Sequence, residues 1–333
     1  MVTEAKIGRM STIDSAETQR DGSSKARASD LLSRPDSDFD PSDPPNAVSV
    51  IVPAYNGAKY IAETLESILK QTVPAVEVIV VNDGSTDDTS SIVRSFGKAV
   101  TLIETPQQGR CKARNLGAQK AVSNWLAFCD QDDIWLPQKL EKQLRLAKEL
   151  PEINCVITDR TTYVDGVIGS RSHFSYAPRD FWNLEPSSSG FVVRQPIAGR
   201  MTTFQPSITS VLFVKRKFFR QFGGFDVHAQ CWSSEDTCVH FQCLSVVPFG
   251  VIPEVLTLYR RHPEALSADP IKQLRNTVDV WEYIIAEYAE AQPWKDDLQA
   301  GLTLLRKEVR ECVRHRRRQK IKRILMRLRL WRS

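Results

Sequence analysis

A chain of 333 residues, 41% apolar and 26% charged, has room for one large domain or two modest ones and the balance of a globular protein rather than a disordered or fibrous one. No apolar run approaches the ~20 residues that span a bilayer, and no basic-then-apolar leader opens the chain. Seven scattered cysteines without a CxxC pair argue against a disulfide framework or a zinc site and make a reducing compartment, the cytoplasm, the expected location.

The net charge of +5 is unevenly placed. Thirteen Lys/Arg against two Asp/Glu lie between Arg306 and Ser333, so that tail carries +11 and the remainder −6.

Residues 1–46 are rich in Ser, Asp, Pro and Ala and close on "RPDSDFDPSDPPN". Such a segment buries too little to offset its ordering entropy and is expected to be disordered. Order begins at "AVSVIVPAYN", a buried-strand run. "AKYIAETLESILKQ" carries Ile61, Leu65, Ile68 and Leu69 at helical spacing. "AVEVIVVNDG" predicts a second strand, and "TDDTSSIVRSF" a helix with Thr86 as its cap. "AVTLIE", "GRCKARNLGAQKAV" and "NWLAFCD" follow as strand, helix and strand, and "INCVITD" as a fifth strand. Residues 160 to about 205 read as an irregular excursion. "PSITSVLFVKRKFFRQFGGFD" resumes with a strand and a short helix ending at Gly223-Gly224. "SSEDTCVHFQCL" opens another helix, "GVIPEVLTLYRRH" is a final strand, and "PIKQLRNTVDVWEYIIAEYAEA" begins a helical C-terminus. Alternating strands and helices joined by short loops predict an α/β fold whose central sheet is mostly parallel and flanked by helices.

In such sheets ligands bind outside the carboxyl ends of the strands. The chemistry-bearing residues fall there: Pro53–Asn56, Asp83 and Asp130–Asp133. Three carboxylates in "CDQDD" would repel each other by roughly 4 kcal/mol per close pair at an effective dielectric near 20 unless solvated or joined by a cation. Neither GxGxxG nor GxxxxGK[ST] is present, so phosphates need another partner. A divalent cation among the aspartates, Mg²⁺ or Mn²⁺, suits oxygen ligands. Asp133 has two readings, a cap for the helix beginning near Pro137 or an acceptor contact. "SSED" at a helix start reads equally as capping residues or as a catalytic carboxylate. Trp135 and Trp232 read as sugar-stacking or packing residues, and Cys238 and Cys243 as core.

"VSVIVPAYNG", "VIVVNDGSTDDT", "GRCKARNLGA", "FCDQDDIW", "GGFD…SSEDT" and "LYRRHPEALS", in this order over residues 47–268, resemble family 2 glycosyltransferases of the GT-A (nucleotide-diphospho-sugar transferase) fold. That resemblance implies a nucleoside pocket lined by Pro53, Tyr55 and Asn56, with Tyr55 against the base. Asp83 would accept a hydrogen bond from base or ribose, Gly109 would allow close backbone approach, and Arg114 would support base binding. Asp130 and Asp132 match the DxD motif, Asp132 on the metal and Asp130 on the ribose or the metal's water. His262 would complete metal coordination. Asp236 matches the catalytic base, with Glu235 its neighbour. Cys111 stands where many relatives have a small residue.

The division that follows is a disordered segment 1–46, a catalytic domain 47–268 and a helical C-terminal extension 269–333. Ile321, Ile324, Leu325, Leu328 and Trp331 recur every three or four residues among arginines and lysines, the pattern of a helix lying on an anionic membrane or docked on its own domain. No nucleic-acid-reading motif accompanies them. The expected activity is inverting, metal-dependent transfer from a nucleotide-diphosphate sugar to a saccharide or lipid-linked acceptor, in cell-surface polysaccharide synthesis, with peripheral contact to the inner face of the cytoplasmic membrane. A sugar nucleotidyltransferase and an inactive binding protein of the same fold are the rivals.

Overall fold

Strand β1 (Val48–Ala54) is buried along its whole length, as a β-branched run covered on both faces requires. The computed structural model describes residues 47–231 and 233–330, with side chains over 47–229 and 233–319. The segment 1–46, Trp232 and the apolar tail face from Ile321 to Trp331 lie outside the described residues or side chains.

Strands β2 (Glu77–Asp83) and β4 (Trp125–Phe128) flank β1 in parallel, and β3 (Thr101–Thr105) adds to β2. Helices α1 (Ile61–Leu69), α2 (Thr89–Ser95) and α3 (Arg110–Lys120) make the crossovers. The chain steps outward from β1 to β3, and α3 then carries it back to β4 on the other side of β1. The order 3-2-1-4 therefore reverses between β1 and β4, which opens a crevice at their carboxyl ends. Side chains on β1 alternate between two cores: Val48, Val50 and Val52 enter one, Ile51 the other. Helix α3 presses on that second face through Gly117, where a Cβ would lie 2.5 Å from Ile51 Cγ2.

Beyond β4 come β5 (Ile134–Trp135), α4 (Lys139–Glu149), β6 (Cys155–Val164), β7 (Val167–Ile168), β8 (Leu184–Ser187), β9 (Gly190–Val193), β10 (Phe213–Lys215), α5 (Arg216–Gln221), α6 (Asp236–Ser245) and β11 (Phe249–Arg260). The sheet runs β3-β2-β1-β4-β10-β6-β11-β9-β8, with β5 on β11 and β7 on β6. Antiparallel β10 sits between β4 and β6, while β6 and β11 are parallel. The 160–205 stretch is more regular than its composition suggests. It holds the β6–β7 hairpin and a β8–β9 hairpin that extends the sheet from β11. Strands of two to four residues containing Pro186 and Gly190 are too short to display an alternating pattern.

Helix α7 (Pro270–Glu287) opens with Asp269 accepting hydrogen bonds from the Ile271 and Lys272 N–H groups, and α8 (Lys295–Leu330) follows. Val280, Trp281 and Ile284 of α7 and Leu298 and Leu302 of α8 are buried in the same core as the sheet, each worth roughly 1.5–3 kcal/mol. Trp281 meets Phe241 of α6 edge to face, 5.7 Å between centroids. Among the described residues no helix is long and apolar enough to cross a membrane.

Candidate active site

The loops after β1 and β2 lock together through short polar side chains. Asn56 has φ 48°, a left-handed conformation that asparagine tolerates. Its Oδ1 accepts from the Thr86 N–H at 2.8 Å, and its own N–H donates to Ser85 Oγ at 2.9 Å. Thr86 is thus a loop partner and not the expected cap. Helix α2 starts three residues later, where the Thr89 N–H donates to Asp87 Oδ1. Asp83, nearly buried, accepts from the Gln108 and Gly109 N–H groups, each at 2.8 Å. It thereby closes the 105–109 loop and sets Gly109 (φ 97°) at the start of α3. Pro53 is buried within β1, whereas Tyr55 is 42% exposed at its end.

Gln131, between the first two aspartates of the acidic loop, joins this loop to β1. Its Oε1 accepts from the Tyr55 N–H at 2.8 Å and its Nε2 donates to the Tyr55 carbonyl at 3.0 Å. Thr64 of α1 donates to the Gln131 carbonyl at 2.8 Å. The amide is thus paired with a peptide unit as a neighbouring strand would be.

Pairing of β5 with β11 (Trp135 opposite Thr257, Ile134 opposite Leu258) brings the acidic loop to the end of β11. His262 Nε2 lies 2.8 Å from Asp132 Oδ2, and His262 Nδ1 lies 3.0 Å from Glu264 Oε2. The Tyr60 ring packs on the imidazole, 4.5 Å between centroids. Burial and neighbouring Asp130 raise the Asp132 carboxyl, against the opposing pull of His262. Asp133 neither caps α4 nor faces an acceptor. It is completely buried, accepting from the Arg260 N–H and from Ser210 Oγ. Arg260 itself donates through Nε to the Asp132 carbonyl at 2.7 Å and lies over the Tyr60 and Tyr163 rings.

Asp132 and His262 fit one divalent cation. With a cation bound, Glu264 accepting from the Nδ1 side would leave Nε2 to ligate beside Asp132, the arrangement by which a carboxylate orients a metal-binding imidazole. Among the described residues no group of three or more His, Cys, Asp or Glu side chains converges on a cation position. The pair is therefore two ligands of a shell that phosphate oxygens and water would complete.

Opposite this pair stands an ionic bridge. Arg114, buried in α3, donates to Asp130 Oδ1 and to Glu235 Oε1, both at 2.7 Å. Arg110, one turn earlier, donates to Glu235 Oε2 at 2.6 Å. Asn115 fixes the next segment, exchanging two 2.8 Å hydrogen bonds with the Phe225 main chain, and Arg114 lies over the Phe225 ring. Gly224 (φ 78°) is required there, since a Cβ would lie 2.5 Å from Asn115 Oδ1. Burial alone would raise Glu235, but the two arginines hold it below the usual carboxylate range. Asp236 has the opposite fate: burial first, then the Glu235 charge, lift it to about 7. Its side chain keeps 21% exposure.

The residues before it do not cap α6. Ser233 and Ser234 bond instead to Gln273, Asn276 and Thr277 of α7, and Asp226 accepts from Tyr283 and Tyr288 hydroxyls at 2.9 Å each. Trp135 is a packing residue, buried with its indole N–H on the Ser210 carbonyl. Gln131, Arg110, Arg260 and Glu264 were not singled out from the sequence, although each sits inside a quoted motif block.

Comparison with known proteins bears on the family and the fold. Residues 49–212 match the family model described as glycosyl transferase family 2. An uncharacterized glycosyltransferase of Rickettsia prowazekii is 28% identical over 237 residues, 70% of each chain. The putative teichuronic acid biosynthesis glycosyltransferase TuaG of Bacillus subtilis is 41% identical over 106 residues, 31% of this chain and 42% of that one. Among solved structures, S. aureus TarS 1-349 in complex with UDP-GlcNAc superposes with TM-score 0.55 at 21% identity, covering 77% of this chain and 71% of that one. The mannosyltransferase PcManGT of Pyrobaculum calidifontis, in complex with GDP-Man and Mn²⁺, gives 0.54 at 24% identity, covering 83% and 75%. Residues 49–212 thus match glycosyl transferase family 2, and the chain has the GT-A fold.

Proposed function

We propose that the chain transfers a sugar, with inversion, from a nucleotide-diphosphate sugar to a saccharide or lipid-linked acceptor, and that residues 47–268 carry the chemistry. The observation that carries this reading is the Asp130–Arg114–Glu235 bridge. It fixes a carboxyl lifted to about 7, Asp236, relative to the Asp132–His262 pair. Pro53, Tyr55, Asn56 and Asp83 would receive the nucleoside beside Gly109, with Tyr55 offering its exposed ring to the base. Arg114 and Glu235 act through their neighbours: Arg114 orients Asp130 toward the ribose, and Glu235 tunes the base.

Asp236, deprotonated near neutral pH, takes the acceptor hydroxyl's proton as that oxygen attacks the anomeric carbon. The new carbon–oxygen bond forms as the bond to the diphosphate breaks, and the nucleotide leaves with the electron pair. Mn²⁺ or Mg²⁺ held by Asp132 and His262 would supply positive charge to that leaving group. The relatives solved with UDP-GlcNAc and with GDP-Man and Mn²⁺ support this donor class and cation, and TuaG supports a role in surface polysaccharide synthesis.

The test begins with a thermal-shift screen of nucleotide sugars in Mn²⁺, then transfer by wild type and Asp236→Asn. A loss of about 10²–10⁴-fold in rate with unchanged nucleotide affinity is expected; equal rates would overturn the assignment. The +11 tail supports peripheral binding to the inner face of the cytoplasmic membrane. Sedimentation with anionic liposomes should fall when residues 313–333 are removed, and unchanged binding would end that part of the reading.

A further inference from the structure

Beside strand β6 a cavity of about 260 Å³ is lined by Arg160, Thr162, Ser170, Arg171, His173 and Tyr176 among others, and by no carboxylate. Its wall is pinned in place. The one proton of Thr161 Oγ1 is shared between the carbonyls of Gly169 and Arg171, 3.0 and 2.8 Å away, and the His173 N–H donates to the Arg160 carbonyl at 2.8 Å.

The two guanidinium groups differ from those of the ionic bridge. Arg110 and Arg114 are paired with Glu235, whereas Arg160 and Arg171 form no ion pair with any described residue. Arg171 lies over the Tyr176 ring at 4.1 Å and Arg160 over the Tyr259 ring at 5.2 Å. A ring face beside each guanidinium leaves N–H groups that could fork onto an oxyanion. The Nε of Arg160 is sealed from solvent without a partner. The Nη2 of the same guanidinium lies 3.4 Å from His173 Nε2, but that nitrogen donates its proton to the Gln205 carbonyl at 2.7 Å and cannot also accept. Burial and Arg160 hold His173 neutral, down to about 4. Asp133, Asp236 and Asp159 act on Arg160 through space, yet none hydrogen-bonds its guanidinium. Arg160 is thus buried with no carboxylate hydrogen-bonded to its guanidinium, so an incoming oxyanion would meet one donor group already desolvated and a second, Arg171, at the mouth.

Three side chains occupy the space between the cavity and the proposed base. From His173 the path runs to Gln205, from Gln205 Nε2 to His240 Nδ1 at 3.4 Å, and from His240 Nδ1 to Asp236 Oδ2 at 4.0 Å.

We infer that this cavity is an acceptor subsite for a phosphate group, and that the acceptor hydroxyl presented to Asp236 lies near a phosphate in the same molecule. The inference rests on the transfer reaction proposed above. Two sources supply such a group, a polyol-phosphate chain and a lipid-linked saccharide. The second is included because the neighbouring hairpin exposes Val167 and Ile168, at 69% and 56%.

The experiment titrates sn-glycerol 3-phosphate into the full chain, with UDP and GDP in Mn²⁺ titrated separately. Saturable phosphate binding, weakened at least tenfold in Arg171→Gln and in Arg160→Gln with nucleotide affinity unchanged, is expected. No saturable binding, or equal binding by wild type and Arg171→Gln, overturns the inference. Arg171 is exposed, so its variant remains informative if Arg160→Gln fails to fold. Loss of nucleotide binding by wild type would instead strike the transfer reading, which the phosphate titration does not report. With the donor known, Arg171→Gln should raise KM at least tenfold for the phosphate-bearing acceptor and leave kcat unchanged. A neutral saccharide used as well as either phosphate acceptor overturns the inference, and preference between a polyol phosphate and a polyprenyl-diphosphate saccharide names the source.

Discussion

Glu235→Gln should move the acid limb of the pH–rate profile downward. In the native chain Asp236 is lifted to about 7 by burial and then by Glu235, with Arg114 and Arg110 pulling the other way. Removing the Glu235 charge takes away a raising influence and leaves both arginines uncompensated, so every change has the same sign. A unit charge about 6 Å away at an effective dielectric near 20 is worth roughly 3 kcal/mol, or about 2 pK units, and one to two units is the expected fall. A general base works deprotonated, so the acid limb of kcat/KM follows its pKa in the free enzyme. For a one-unit fall, the rate at pH 6 relative to its own plateau rises roughly fivefold. The assay is nucleotide release between pH 5 and pH 9, each variant normalised to its plateau so that a smaller folded fraction cancels. A limb that stays in place or moves upward would refute the electrostatic account of Asp236.

Asp236→Asn should stabilise the fold at pH 8 while slowing transfer by about 10²–10⁴-fold. A carboxyl raised in the folded state makes stability fall as pH climbs from its unfolded value near 4 toward 7, a gap on the order of 4 kcal/mol, discounted to about 2 for its partial exposure. The gain in Tm should vanish at pH 4, and a loss of stability at pH 8 would contradict the burial argument. Glu264→Gln should weaken Mn²⁺ affinity in the presence of nucleotide about tenfold, through loss of imidazole orientation; an unchanged Mn²⁺ titration would remove Glu264 from the site. Gly117→Ala forces a methyl against Ile51 and should cost about 1–3 kcal/mol in urea unfolding, and a neutral result would mean that α3 can shift away from β1.

The strands and crossover helices up to β4 were legible because their apolar residues repeat with the periods of buried strands and amphipathic helices. Once they were in order, the ends of β1, β2 and β4 followed, and with them Asn56, Asp83, Asp130 and Asp132. His262 had no such signal. It meets Asp132 only because β5 pairs with β11, a contact 130 residues apart in the chain, and the family resemblance alone pointed to it. Arg110 and Glu235 are 125 residues apart, and nothing local marks them as partners. Thr86 was misplaced because its N–H serves Asn56 across a tertiary contact, which overrides its helix-capping tendency. Asp133 looks like its two neighbours in the sequence; only burial separates it from them.

The hydrogen bonds from α7 to Ser233 and Ser234, and from Tyr283 and Tyr288 to Asp226, have a bearing on where this protein can be divided. Sequence resemblance ends near residue 268, but the packing unit does not. The segment that carries Glu235 and Asp236 is held on one side by α3 and on the other by a helix that begins at Pro270. A shortened chain ending at 268 would keep every residue proposed for the chemistry and lose half of the vise that aims them. A change at Gln273, Asn276 or Thr277 of α7 would therefore reach the segment that carries the base directly, as a change in the acidic loop would.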